Sequence, residues 1–444
     1  MKHFCFRKSL LLFALVALTH FANANNMLVQ NVTTLGNDPV NKTIQVQLDI
    51  SWDNSWRDAI NWDAAWIFMK FKNASGVWQH VQLNQTGFIN GTGTANTLQV
   101  TSDKVGSWLY RSALGSGTFN TTGLQLQWNY GLAGLTSVTG LEVRVFAVEM
   151  VYVPEGDFNC AGEVKYNDLT QYASFFYSPY SASGLSRQKG KFVAPGNNFP
   201  VVNNKLSPNL EYFDGVGVNL RIKGDAGIDS NNDGVIDNTN YPTGFKAFYC
   251  YKYEMSEQQY SDFLNTLTAI QITNIGVAGS NISLSNGQYF SSTPNYALVY
   301  SNENKLFAYA DWCGLRPMTF LEFNKASYGP YLPIFGNRAY PAGGNEQYLS
   351  YGGNVGSMAT STTDRTTSGA TYYGILDFTG SAREPVVSLN YLNFTNQNGN
   401  GSLNSQGQTD ILNWIGSAIK YIDETYSGNW NSSVYGFRYV RSAE

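Results

Sequence analysis

Histidine is nearly absent from this chain. There are three, and His3 and His20 fall in a leader-like segment, which leaves His80 alone in the run WQHVQL. A zinc or iron site built on two or three histidines is excluded by that count. A Ser-His-Asp triad has only His80 to draw on, and no nucleophile turn stands near it. Cysteine is almost as rare. Of four, Cys5 belongs to the leader, which leaves Cys160, Cys250 and Cys313, with no CxxC and no disulfide framework. Charge is thin at 14%, with a net of -4, so there is no basic footprint for nucleic acid. Long apolar runs are missing as well: the run from Leu10 to Leu18 is well short of the roughly 20 residues a spanning helix needs, and no later stretch supplies one.

That short run is instead the middle of an export signal. Lys2, Arg7 and Lys8 precede it, and Ala22-Asn23-Ala24 follow it with the small residues of a cleavage site. Residues 1–24 are therefore expected to be removed, leaving Asn25 at the mature N-terminus of a secreted, extracellular or outer-surface protein with no membrane span. The rest is aromatic (15%) and rich in glycine (43) and tyrosine (29), a mixture that suits β-rich, loop-rich structure.

Residues 25–149 read as a β-sandwich-like domain. TIQVQLDISW, AAWIFMKFKN, VWQHVQL, LQLQWNY and LEVRVFAVEM are strand-like, with Gly, Asn, Ser and Thr turns between them. Trp52, Trp56, Trp62 and Trp66 cluster here. They fit either a carbohydrate platform or core and inter-domain packing, and packing is preferred because large aromatics are mostly buried. The run EVRVFAVEMVYVPEG leads into residues 150–444 without a flexible linker, which predicts a rigid junction.

One motif in the second half has metal-ligand spacing. Asp229-Ser230-Asn231-Asn232-Asp233-Gly234-Val235-Ile236-Asp237 places carboxylates and amides at alternate positions, with a glycine for the turn. Calcium takes six to eight hard oxygens, and such a loop provides them, so Asp229, Asn231, Asp233, Val235 and Asp237 are the candidate calcium ligands. An Asn/Asp-rich turn without an ion is the competing reading.

Five blocks carry a family resemblance: MVYVPEGDF (150–158), FYCYKYEMSEQQYSDFLNTL (248–267), LFAYADWCGLRPMTFLEFNKAS (306–327), TYYGILDFTGSAREPV (371–386) and YGFRYVRS (435–442). In order and content they resemble the formylglycine-generating enzyme, or sulfatase-modifying factor, family. The resemblance implies an α+β fold for 150–444: a C-type-lectin-like domain of two helices beside small, twisted antiparallel sheets. Within the blocks, Ser256 is the expected N-cap of a helix carrying Tyr260, Phe263, Leu264 and Leu267. Ala308, Trp312 and Leu315 face one side of a second helix that Gly314 stops. Arg316 and Arg438 are expected to form buried ion pairs with Asp311 or Glu322.

The resemblance does not carry the family's chemistry with it. The enzymes bind copper through a cysteine pair near the C-terminus, and no cysteine follows Cys313 here. Their R-G-G-S-W block is unrecognisable between Trp414 and Gly436. A copper(I) site needs thiolates, so copper is not expected. The related iron-dependent sulfoxide synthases use histidines that this chain lacks. The family's G-N-V-W-E-W block contributes a structural calcium site, which the resemblance assigns to Ser381 and Glu384. In that block Ser381, Arg383 and Pro385 depart from the pattern. The expected function is non-catalytic binding of a glycan or protein ligand at the cell surface, or a structural role in a surface assembly. The alternative is an oxidase with an unrecognised metal site.

Overall fold

The computed structural model describes residues 26–160, 199–201, 211–213, 219–221, 230–231, 236–279, 281–299, 304–330, 353–357, 368–378, 384–387, 393–414, 419–422 and 436–444. Nine strands fill the first part: β1 (Leu28–Asp38), β2 (Thr43–Arg57), β3 (Asp63–Lys72), β4 (Trp78–His80), β5 (Thr92–Gly93), β6 (Asn96–Val100), β7 (Ser107–Arg111), β8 (Gly115–Asn129) and β9 (Glu142–Val153). In β2 the alternation is direct: Ile44, Val46, Leu48, Ile50 and Trp52 are buried, while Gln45, Gln47, Asp49 and Ser51 between them are half exposed. Successive strand side chains point to opposite faces, so this pattern makes one wet and one dry face. β8 answers in antiparallel register, with Val46 opposite Leu126 and Leu48 opposite Leu124. With β1 and β5 they form a four-stranded sheet, ordered β1-β2-β8-β5.

β3 behaves differently because both its faces are covered. Ala65, Ile67, Met69 and Phe71 pack into the core shared with β2 and β8. Ala64, Trp66 and Phe68 pack into a second core on the opposite side. A strand buried twice reads as a continuous apolar run, as AAWIFMKF does. β3 is the middle of an eight-stranded sheet, and this sheet is the central layer of the molecule.

That layer does not end where the first part of the chain ends. After the short pairs β10 (Phe158–Cys160) with β11 (Phe199–Val201) and β12 (Glu211–Phe213) with β13 (Asn219–Arg221), strand β14 (Phe248–Tyr251) returns to it. β14 pairs antiparallel with the end of β9, Tyr249 opposite Tyr152 and Tyr251 opposite Met150. Next come helices α1 (Glu257–Leu264) and α2 (Ala269–Ile275), hairpin β15 (Ile282–Ser285) and β16 (Gln288–Ser291), helix α3 (Asn304–Trp312), β17 (Arg316–Pro317) and helix α4 (Phe320–Tyr328). β18 (Glu384–Val387) pairs with β19 (Ile419–Ile422), and β20 (Tyr439–Ser442) closes on β14 with Cys250 opposite Val440. The central order is β17-β20-β14-β9-β3-β7-β6, with β4 on β3. The expected junction at 149/150 thus lies inside β9, which pairs with β3 from Glu142 to Val151 and with β14 from Met150 to Val153. The two parts share a sheet rather than a linker.

The architecture is β-rich and mostly antiparallel, with four α-helices among the described residues. Ser256 caps α1 in a capping box with Gln259, and Thr319 caps α4 with Glu322. α3 ends at Gly314, whose φ of +73° favours glycine and whose added Cβ would lie 2.4 Å from Val105. The carbonyls at the end of α3 and in the turn after it have no partner within the helix. Donors from the central sheet take them: Lys70 Nζ donates to Trp312 O at 2.6 Å, Trp66 Nε1 to Cys313 O at 2.8 Å, and Arg441 to Gly314 O. Two of these donors are basic side chains at the negative end of a helix, although burial lowers Lys70 to about 7. No described helix is long and apolar enough to cross a membrane.

Candidate functional site

Of the predicted calcium loop, Asp229, Asp233 and Val235 lie outside the described residues. Asn231 and Asp237 are described. Both carboxylate oxygens of Asp237 accept from the Ser230 amide at 3.2 Å, which draws the two ends of the motif together. The loop then runs into buried Tyr241, whose hydroxyl donates to Val387 O at 3.0 Å.

Ser381 also lies outside the described residues. Glu384 is buried, and its Oε1 accepts from Arg438 Nε at 3.1 Å. The other two nitrogens of Arg438 donate to Tyr251 O and Leu376 O, each at 3.0 Å. The guanidinium fork suits this three-way clamp. Arg316 pairs with Glu322, as one of the expected pairings has it, with Nη1 to Oε2 at 2.8 Å. Arg438 pairs with neither expected partner. Asp311 instead caps a loop, accepting from Thr409 Oγ1 at 2.6 Å and from the Asn400 amide at 2.9 Å. Among the described residues, no group of three His, Cys, Asp or Glu side chains is placed to hold a metal.

Both described thiols are buried and free. Burial pushes Cys250 up to about 12 and Cys313 higher still. Reactivity and metal binding belong to the thiolate, so these cysteines act as small apolar side chains. His80 is buried as well. It lies 3.0 Å from Lys70 Nζ, and its Nε2 is 2.7 Å from Val105 O. Burial, with Lys70 beside it, holds the ring well below its ordinary pKa.

The four tryptophans divide. Trp52 and Trp66 are fully buried, Trp52 stacked on Phe119 at 3.9 Å. Trp56 and Trp62 are half buried. Trp62 stacks on Tyr152 with centroids 4.0 Å apart, tilts toward Tyr110 at 5.5 Å, and carries Arg57 over its ring at 4.2 Å. Trp62, Tyr110, Tyr152 and Arg57 are all half exposed, and Ile60 and Leu114, at 48% and 69% exposure, stand in the adjoining turns. Strand pairing assembles this stripe: Arg57 bridges to Trp62 and faces Gly115 of β8, while Tyr152 sits opposite Tyr249.

A second cluster escaped the sequence reading. Asp63, Glu149 and Lys252 meet in the interior, with Lys252 Nζ bound to Glu149 Oε1 and 3.5 Å from Asp63 Oδ2. Trp52 Nε1, Ser55 Oγ and the Trp56 amide all donate to Asp63 at 2.9–3.0 Å. Burial pushes the Glu149 carboxyl up, and the Lys252 ammonium beside it pulls the other way. Burial opposes the charge on Lys252, yet Glu149, Tyr253 and Asp63 outweigh it and raise its pKa. The signal that could have revealed the cluster is a charge embedded in an apolar strand run, as in EVRVFAVEM and FYCYKYEM. The chain matches no protein-family model, no curated protein and no solved structure.

Proposed function

We propose that the chain is a secreted or surface-held protein without catalysis of its own, which binds a glycan or protein ligand on a framework resembling the sulfatase-modifying-factor, C-type-lectin-like fold. The observation that carries this reading is the half-exposed stripe of Trp62, Tyr110, Tyr152 and Arg57 with Ile60 and Leu114 beside it. Trp, Tyr and Arg are the residue types that carry most of the energy at binding surfaces, because they offer large rigid area with a polar handle. The framework reading is supported by where the five blocks fall. Val151, Tyr251, Ala308, Ile375, Val386 and Tyr439, from all five, meet in one core. The non-catalytic reading is supported by the state of the two described thiols, Cys250 and Cys313, both buried and protonated.

A glycan array and a pull-down with the mature protein, with and without calcium, test it. The reading expects a defined glycan or protein partner whose capture is lost in Trp62→Ala and Tyr152→Ala. Capture that survives both substitutions removes the stripe from the site. The oxidase alternative has its own assay: a protein-dependent loss of thiol mass from a sulfatase-type cysteine peptide, with copper and oxygen, overturns the non-catalytic reading. Calcium at 229–237 is part of the proposal. An ion bound only by the folded state stabilises by about 2.7 kcal/mol at a hundredfold excess over its dissociation constant. Melting with calcium rather than chelator should therefore rise by a few degrees in the native chain and not in Asp229→Ala/Asp233→Ala. An equal rise in both chains places the calcium elsewhere.

A further inference from the structure

Three neighbouring strands of the central sheet, β3, β9 and β14, bring an amine and two carboxyls to one place. Glu149 of β9 stands opposite Ala65 of β3, two residues along from Asp63. Just past β14, the Lys252 amide donates to Glu149 O at 3.0 Å. Side chains two apart on a strand share a face, and so do directly opposite residues on paired strands. Asp63, Glu149 and Lys252 therefore converge on one face of the sheet, at exposures of 0%, 4% and 2%.

The contacts give the three groups different roles. Lys252 Nζ binds Glu149 Oε1 closely. It lies more loosely against Asp63, 3.5 Å from Oδ2, and donates to Asn54 O at 3.3 Å. The Asp63 oxygens are held by neutral donors instead. Ser55 Oγ and the Trp56 amide donate to Oδ1 at 2.9 and 3.0 Å, and Trp52 Nε1 donates to Oδ2 at 3.0 Å. Donors fixed on a carbonyl oxygen stabilise the negative charge that builds when its carbon is attacked. The Trp56 ring lies 4.7 Å from Nζ and the Tyr253 ring 5.5 Å, so aromatic side chains wall the amine in.

As a purely structural device this cluster is a poor choice. A buried ion pair barely offsets its own desolvation, and a second acid adds repulsion. Condensation removes that cost, because it replaces two buried charges by one neutral amide. The amine and the Asp63 carboxyl are already held side by side, which is the condition that makes an intramolecular reaction fast.

We propose that Lys252 Nζ and the Asp63 carboxyl join in an intramolecular amide bond, with Glu149 carrying the protons between them. Nζ begins as an ammonium with three protons and ends as an amide nitrogen with one. The other two pass through Glu149 to Oδ2 of Asp63, which leaves as water. The new bond runs from Nζ to Asp63 Cγ, and the bond from Cγ to Oδ2 breaks. Oδ1, held by Ser55 and Trp56, stays as the amide oxygen, and Glu149 ends as it began. The step needs no co-reactant, occurs once in each chain and turns over no external substrate. It stands apart from the aromatic stripe and from any ligand bound there. Its product ties β3 to the segment after β14, 189 residues on. Cys250 and Cys313 are free thiols and supply no such link. A cross-link of this kind restricts the unfolded chain as a disulfide does, and reductant does not open it.

Intact mass spectrometry of the mature chain, denatured and reduced, tests the proposal. The native chain should be lighter by one water than its sequence from the observed N-terminus. Its proteolytic fragments should include one peptide carrying Asp63 joined to another carrying Lys252. Glu149→Gln keeps the shape but cannot carry the protons, and Lys252→Met removes the amine, so both should have the full sequence mass. Melting temperatures show whether each variant is folded, and the fragment carrying the junction decides the question in the native chain alone if neither is. Loss of the bond in Glu149→Gln lowers its stability equally at every pH, so the pH trend of that variant is unaffected. A native chain at full sequence mass, a loss of water that persists in Lys252→Met, a bond that forms completely in a folded Glu149→Gln, or a junction on Glu149 rather than Asp63 each overturns the proposal.

Discussion

On one side of the central sheet, Ala65, Ile67, Met69 and Phe71 of β3 meet Val46, Leu48, Ile50, Leu124 and Leu126 of the neighbouring sheet in a core of aliphatic and aromatic side chains. On the other side the same strand sends Trp66, Phe68 and Lys70 toward α3, and the interior there also holds Arg316, Glu322, Lys325, Glu384, Arg438 and Arg441. The first core is built from area: each buried aliphatic side chain contributes about 1.5–3 kcal/mol, and similar volumes can replace one another. The second also buries a large apolar cluster and adds ion pairs and captured carbonyls to it. Its loops and short helices leave backbone groups that long strands would have paired, and cationic side chains fill those roles. A buried ion pair adds little net stability over an apolar pair, but removing one partner strands the other. Substitution should therefore act unequally on the two sides.

The largest effect is expected at Arg438. Arg438→Ala removes the partner of buried Glu384 and the donors to Tyr251 O and Leu376 O. Stranding a buried charge in this way costs about 3–5 kcal/mol. Arg438→Lys should recover only part, because an ammonium cannot span three acceptors in the plane of a guanidinium. Arg438→Met with Glu384→Gln should recover more than Arg438→Lys. Urea midpoints of the four chains give the order. An Arg438→Ala chain as stable as the native one erases the contrast between the two sides.

How far this was legible in the sequence follows the same division. The sheet of β2 and β8 could be read from alternation alone, because burial on one face imposes a period of two. The capping boxes at Ser256 and Thr319 and the Arg316–Glu322 pair were also within reach, since their partners lie three to six residues apart. Arg438 and Glu384 lie 54 residues apart, and Lys252 and Glu149 lie 103 apart. Nothing local in the chain encodes such pairings. The shared sheet was hidden for the same reason: β9 pairs with β14 across nearly a hundred residues of chain, and strand register carries no sequence mark. At the calcium loop, spacing suggested an ion, while what closes the described part is the Ser230 amide on Asp237.

A middle-sized effect is expected at Glu149, and it depends on pH. The folded chain holds this carboxyl at about 8, above its ordinary value of 4.5. A group with a raised folded pKa binds its proton more tightly when folded. Its contribution to stability is complete below about pH 4.5 and is lost as pH rises toward 8. Glutamine keeps the shape and has no proton to lose. Glu149→Gln should therefore gain on the native chain between pH 5 and pH 8, by on the order of 1–3 kcal/mol at the upper end. Thermal melts of both chains at pH 5, 6.5 and 8 measure this. A difference that stays flat with pH means that the buried carboxyl is already ionised and that Lys252 alone neutralises the site.

The smallest effect is expected at Ile50, in the core between the two sheets. The residue is 1% exposed, in β2 between Leu48 and Trp52. Ile50→Val removes one methylene, keeps the β-branch that suits a strand, and breaks no hydrogen bond or charge contact. Such a change costs about 0.5–1.5 kcal/mol, with the exact value set by how far the neighbours close the gap. The Ile50 side chain makes no polar or charge contact, so the cost should be the same at pH 5 and pH 8 and in low or high salt. That insensitivity is the sharper part of the test. Urea midpoints for Ile50→Val across those four conditions should move in parallel with the native chain. A cost that grows with pH or shrinks with salt ties this core to the charges across the sheet. The two sides of β3 would then be one electrostatically coupled interior, not two cores separated by a strand.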